Sequence, residues 1–157
     1  MSHVHGHDPL VELLGGDEAE VLARLEALDL VPANRNAVGQ IVAAGAVAAL
    51  EKLAEDPPAR ARVRPLATAG AFHTQYMAPA LDEYTRVADR INPAEPSVTL
   101  LSNSDGRAVS SGADAVAKLV AQMVRPVRWD LCTESMKELG VTAIVEFPPA
   151  GTLTGIA

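Results

Sequence analysis

The sequence predicts a mixed α/β protein in two unequal parts, and three observations carry that prediction. Hydrophobic residues make up 48% of the 157-residue chain and charged residues 21%, so a packed core is affordable and wholesale disorder is not expected. Apolar patterning up to Gly70 alternates between short extended runs and helical periods in the order βαββαβ. Beyond Gly70 longer helical periods alternate with isolated apolar runs, the pattern of strands joined by helices in a parallel sheet.

The first part reads as follows. Residues Pro9 to Leu14 form a short apolar strand stopped by Gly15-Gly16, and Asp17 is placed to cap a helix through Leu28 with Val21, Leu22, Leu25 and Leu28 on one face. Val31 to Asn36 and Gln40 to Ala44 are strands of a hairpin, with Gly39 supplying the turn's unusual backbone angle. A helix from Ala46 to Glu55 is broken by Pro57-Pro58, and Val63 to Ala69 is the fourth strand. This order is the ferredoxin-like arrangement.

The second part begins with a helix from about Pro79 to Ile91, a strand at Val98 to Leu101 and a turn at Asn103 to Gly106. A helix from Ala113 to Met123 follows, then one around Trp129 that Gly140 ends after Leu139, then a strand from Val141 to Phe147. Two strands and three helices are too few to cover both faces of a parallel sheet. The expected division is a disordered or added terminus at 1–8, the small unit at 9–70 and a partial larger unit at 71–157.

Composition excludes several function classes. A net charge of −7 opposes binding to a phosphate backbone, so no nucleic-acid partner is expected. No apolar run approaches the roughly 20 residues that span a bilayer, and the opening MSHVHGHD lacks the regions of a signal peptide. Cys132 is alone and reads as a small buried hydrophobe in a reduced, cytoplasmic protein. His3, His5 and His7 alternate and could in an extended chain face one zinc or nickel ion, but they precede the fold, and no metal site is expected.

Four segments, in order, carry a resemblance: Asn34-Arg35-Asn36-Ala37-Val38-Gly39-Gln40; Gly70-Ala71-Phe72-His73-Thr74 with Met77-Ala78-Pro79-Ala80; Leu101-Ser102-Asn103 with Asp105-Gly106; and Gln122 through Pro126-Val127-Arg128-Trp129 to Glu146-Phe147-Pro148-Pro149-Ala150-Gly151-Thr152-Leu153. Together they resemble the C-terminal half of the malonyl-CoA:acyl-carrier-protein transacylases, especially those of actinobacterial fatty-acid synthesis, over roughly Leu13 to Ala157. The resemblance implies a ferredoxin-like subdomain inserted into an α/β-hydrolase-like one. It implies a serine that attacks the malonyl thioester and hands malonyl to the phosphopantetheine thiol of acyl carrier protein, with a histidine as general base for both nucleophiles.

By the same resemblance His73 is that base, and Gln122 orients its ring through a backbone carbonyl. Asn36 matches an asparagine near the cleft, and Gln40 is a weaker substrate-side candidate; in hairpins such residues also serve turns. Asn103, Asp105 and Gly106 read as turn chemistry, and Asp105 is not expected to form a triad with His73. Arg60, Arg62, Arg64, Arg125 and Arg128 could meet acidic acyl carrier protein, though arginines of this kind are more often merely solvated.

No Gly-x-Ser-x-Gly elbow occurs, nor the family's glutamine-containing oxyanion segment or malonyl-binding arginine, all of which the family carries in its N-terminal portion. The expectation is an enzyme only in company: the missing N-terminal half and acyl carrier protein are the partners, malonyl-CoA and the phosphopantetheinylated carrier the substrates, and no cofactor is tightly bound. The alternative is a catalytically dead module that binds acyl carrier protein. A hydrolase pairing His73 with Ser102, Ser104 or Ser111 is a third reading, weakened because none sits in a strand-to-helix elbow.

Overall fold

The computed structural model describes residues 10–67 and 70–156. Strands β1 (Leu10–Gly15), β2 (Val31–Ala37), β3 (Gln40–Ala44), β4 (Ala61–Leu66) and β5 (Val127–Arg128) form one mixed sheet in the order β4-β1-β3-β2-β5. Helices α1 (Glu18–Ala27) and α2 (Val47–Glu55) fall between the first four strands, and α3 (Ala78–Ala88), α4 (Gly112–Ala121) and α5 (Trp129–Glu138) follow them. The βαββαβ order read from the sequence is therefore present, with β3 as read and the other strand ends within three residues; Pro9 and Ala69, read as strand ends, lie outside the described residues.

Side-chain alternation fixes the register of the four antiparallel strands. Val11 lies opposite Ala43 and Leu13 opposite Ile41, and all four face a core with Val21 and Leu25 of α1 and Leu50 and Leu53 of α2. The intervening Leu10, Val42 and Ala44 face a second cluster with Ala33 and Ala71. A slip of one residue would exchange these sets between faces, so the pairing is tightly specified. Asp17 caps α1 as the sequence predicts, its carboxylate accepting from the N–H groups of Ala19 (3.0 Å) and Glu20 (3.2 Å). Val38 and Gly39 form the hairpin turn between β2 and β3, Gly39 at φ +76°.

The second part departs from expectation. Neither Val98 to Leu101 nor Val141 to Phe147 is a strand; Leu101 makes a single antiparallel bridge to Ala108, and 141–147 pairs with nothing among the described residues. The parallel pairing that is present joins β2 to β5 through Asn34 opposite Val127 and Arg35 opposite Arg128. An apolar extended run becomes a strand only when a neighbour accepts its backbone hydrogen bonds. Val98, Val145 and Phe147 are 76%, 80% and 84% exposed, which shows how little covers these segments.

Each such side chain forgoes roughly 1.5–3 kcal/mol of burial. Amide hydrogen exchange should therefore show 10–66 protected and both 98–101 and 141–147 fast; equal protection of all three in the monomer would contradict this account of the second part.

Candidate active site

The turn that carries His73 is built between two buried anchors. Ala71 packs into the cluster with Leu10, Ala33, Val42 and Ala44. Thr74 is also buried; its hydroxyl donates to the Ala71 carbonyl (2.7 Å) and accepts from the Tyr76 N–H (3.3 Å), capping the short 3-10 turn Gln75–Met77. His73 lies between them at φ +67°, in the left-handed region that a non-glycine residue enters at a cost of about 1–3 kcal/mol.

Two successive carbonyls at the C-terminal end of α4 offset that cost. The His73 backbone N–H donates to the Met123 carbonyl at 3.1 Å, and ring Nδ1 lies 2.8 Å from the Gln122 carbonyl. A carbonyl has no proton to give, so Nδ1 must carry one, and in the neutral ring Nε2 is left with a free lone pair. Gln122 is 5% exposed and caps α4 with its own N–H on the Lys118 carbonyl (3.0 Å), which fixes the acceptor.

No protein-family profile matches the chain. It is 70% identical over 152 residues to the malonyl CoA-acyl carrier protein transacylase of Mycolicibacterium smegmatis, covering 94% of this chain and 52% of that protein. It superposes on the crystal structure of MCAT from Mycobacterium tuberculosis with a TM-score of 0.91 at 66% identity, over 94% of this chain and 49% of the other. The chain matches one half of a malonyl-CoA:acyl-carrier-protein transacylase. It spans about half the length of the curated relatives it matches. At 28% identity it also superposes, with a TM-score of 0.86 over 94% of this chain and 50% of the other, on a malonyl-transacylase solved in complex with a type II PKS acyl-carrier protein.

The other residues singled out in this family's motifs lie on the hairpin. Asn36 sits where the β2–β3 register shifts between Arg35 and Ala37. Gln40 begins β3, and its amide donates to Glu12 Oε1 at 2.7 Å, so this side chain is engaged across the sheet. Neither is hydrogen-bonded to His73 among the described residues.

The serines do not meet the histidine either. Ser102 and Ser104 hydroxyls bond each other at 2.8 Å, and Ser111 caps α4 by accepting from the Asp114 N–H at 3.0 Å. Partial burial works against the Asp105 carboxylate, but the Arg107 N–H (3.1 Å) and the Lys118 ammonium (3.1 Å) outweigh it and hold its pKa below the usual range. Its partners are thus turn residues and α4, not His73. Of the basic set, Arg128 is held by Asp130 through two hydrogen bonds of 2.9 and 2.7 Å, and this pairing raises its pKa further.

Cys132 is buried as the sequence predicts, its thiol 3.4 Å from the Ser102 carbonyl and pushed up in pKa by burial first, then by Asp105 and Asp130. No cluster of metal-ligating side chains occurs among the described residues; His3, His5 and His7 lie outside them. Thr74, Arg35 and Asp130 were not singled out from the sequence. The first two stand within the quoted motifs, and Asp130 has the Arg-x-Asp spacing at a strand-to-helix junction that could have marked it.

Glu146 organises the last loop. Its carboxylate accepts from the N–H groups of Gly151 (2.8 Å), Leu153 (3.1 Å) and Thr154 (3.1 Å) and from the Thr154 hydroxyl (2.9 Å), which lower its pKa from 4.5 to about 2. A depressed carboxylate stabilises the fold fully above its unfolded value, and the contribution disappears as pH falls from about 4.5 through about 2. Carboxyl carbon NMR should give Glu146 a midpoint near 2, and Glu146→Ala should speed exchange of the Gly151, Leu153 and Thr154 amides at neutral pH. An ordinary midpoint would rule out this anchoring.

Proposed function

We propose that this chain supplies the general-base side of a malonyl-CoA:acyl-carrier-protein transacylase site, the serine nucleophile coming from polypeptide outside these 157 residues. The observation that carries the reading is the His73 ring held through Nδ1 on the Gln122 carbonyl, with Nε2 left to accept a proton. Relatives twice the length, bearing that activity in their names, support it.

In this reading Nε2 takes the serine proton as the serine oxygen attacks the malonyl thioester carbonyl. The tetrahedral adduct collapses, the C–S bond breaks, and the imidazolium returns the proton to the departing coenzyme A thiolate. In the second half His73 takes the proton of the phosphopantetheine thiol, whose sulfur attacks the malonyl ester, and the serine oxygen leaves with the proton from His73. Gln122 keeps the ring in one tautomer by position alone. Asn36 and Gln40 stand on the substrate side, and Arg125 is offered to the acidic carrier protein. Residues 9–70 act as a ferredoxin-like unit and 71–157 as part of a hydrolase-like one, in a cytoplasmic enzyme that needs no tightly bound cofactor.

Supplying the N-terminal half of the Mycolicibacterium smegmatis relative as a separate chain should restore malonyl transfer from coenzyme A to carrier protein. His73→Ala should lower that rate by a factor on the order of hundreds or more. Gln122→Ala should cost far less, since alanine keeps the carbonyl. A folded two-chain complex in which His73→Ala is fully active would refute the assignment. Tight binding of carrier protein by the isolated chain, with no activity restored on complementation, would favour the dead binding module.

A further inference from the structure

The residues that hold His73 and the strand that bears Asn36 belong to different parts of the fold, and one stretch of nine residues joins them. Gln122 and Met123 grip His73 by ring and backbone. Four residues on, Val127 and Arg128 pair with β2 opposite Asn34 and Arg35, immediately before Asn36. The position of the base relative to Asn36 therefore depends on that strand pairing as well as on Ala71, which shares a buried cluster with Ala33 of β2.

A two-residue parallel pairing is weak by itself, and this one has an added difficulty. Its register places Arg35 directly opposite Arg128, and like charges facing across strands repel. Asp130, in the first turn of α5, answers both. It takes the fork of Arg128 at 2.9 and 2.7 Å, and its Oδ2 lies 4.0 Å from Arg35 Nε. Arg35 is also paired with Glu18 at the start of α1, so the chain of charges Glu18, Arg35, Asp130, Arg128 runs from the small unit into the helix that follows β5.

The four side chains are only 20–33% exposed, which shields them from the screening that makes surface pairs nearly worthless. Arg35 Nε is buried with no hydrogen-bond partner, and with Glu18 engaged by the other end of the guanidinium, the Asp130 carboxylate is the charge that faces Nε. Removing that carboxylate would leave Arg128 without its hydrogen-bonded partner beside Arg35, with Glu18 as the remaining paired carboxylate where β5 meets the sheet.

We infer that Arg35 and Asp130 are positioning residues for the base: by bridging β2 to β5 they hold the 122–130 strap, and with it His73, in place against Asn36. The inference rests on His73 being the base, as proposed above, but its test reads the placement of His73 and not catalysis.

In the 157-residue chain, Asp130→Asn should reduce protection of the His73 amide by roughly tenfold, the size of coupling within one ion-pair network. Long-range nitrogen NMR should show the His73 ring passing from the single Nδ1–H tautomer to a mixture, while amides of β1 and α1 keep their protection. If only the first turn of α5 changes and His73 keeps both its protection and its tautomer, Asp130 is a local helix residue and the inference fails. Should Asp130→Asn unfold the chain, Arg35→Met and Arg35→Lys decide. Loss of His73 order in Arg35→Met with recovery in Arg35→Lys supports the bridge, and an undisturbed His73 in Arg35→Met overturns it. Failure of two-chain complementation to restore malonyl transfer would remove the functional reading and leave this result standing.

Discussion

The end of helix α4 is the constraint on which the site depends. Ser111 starts the helix by capping it, and Gln122 ends it with its backbone fixed by the Lys118 carbonyl. The carbonyls of Gln122 and Met123 are thereby left for a group outside the helix. His73 takes both, one with its ring and one with its backbone N–H, and can do so only because its backbone adopts φ +67°. The strain is local and so are its restraints: Ala71 packs into the sheet on one side, and Thr74 locks the turn on the other. A histidine on an ordinary extended backbone, free of either carbonyl, would have no reason to keep one tautomer.

That arrangement divides the functional burden unevenly. The groups that hold the His73 ring lie in this chain, while the three serines weighed as its partner are committed elsewhere: Ser102 and Ser104 to each other, Ser111 to the start of α4. None of these three hydroxyls is hydrogen-bonded to the His73 ring. In the reaction proposed above, a base oriented independently of its nucleophile is physically sensible, because it would serve a serine in one half and a thiol in the other.

The legibility of the fold follows the range of the interactions that create each element. Asp17, Gly39 and Gly140 act within a few residues, so α1, the hairpin and the end of α5 could be read from neighbours in sequence. The antiparallel strands were readable because one face of β1, β3 and β4 must meet α1 and α2, which the sequence places between the strands, and β2 is joined to β3 through the hairpin. Val98 to Leu101 and Val141 to Phe147 carry the right side chains for strands, but strand formation depends on a partner, and apolar pattern says nothing about whether one is present. The His73 and Gln122 pairing spans 49 residues and was legible only through a family motif; no periodicity links the two positions. Asp130 escaped notice for the opposite reason, being an ordinary acidic residue in the first turn of a helix, where its charge is already accounted for by the helix dipole.

The two parts of the chain therefore depend on different things. Residues 10–66 bury their strands against their own helices, and Leu13, Leu25 and Leu53 are almost fully enclosed without help. In the second part the α4–α5 region leaves Leu119, Leu139 and Val141 at 58%, 60% and 45% exposure, so much of its apolar surface stays in contact with water. Yet the His73 ring is held at the boundary, where α4 ends and β5 joins the sheet, by contacts within the chain. The boundary is held by directional interactions: two carbonyls on one histidine, and one carboxylate beside two guanidiniums. Directional bonds with fixed partners keep an angle as well as a distance, so the His73 ring keeps its orientation although apolar surface on the side of the second part stays uncovered.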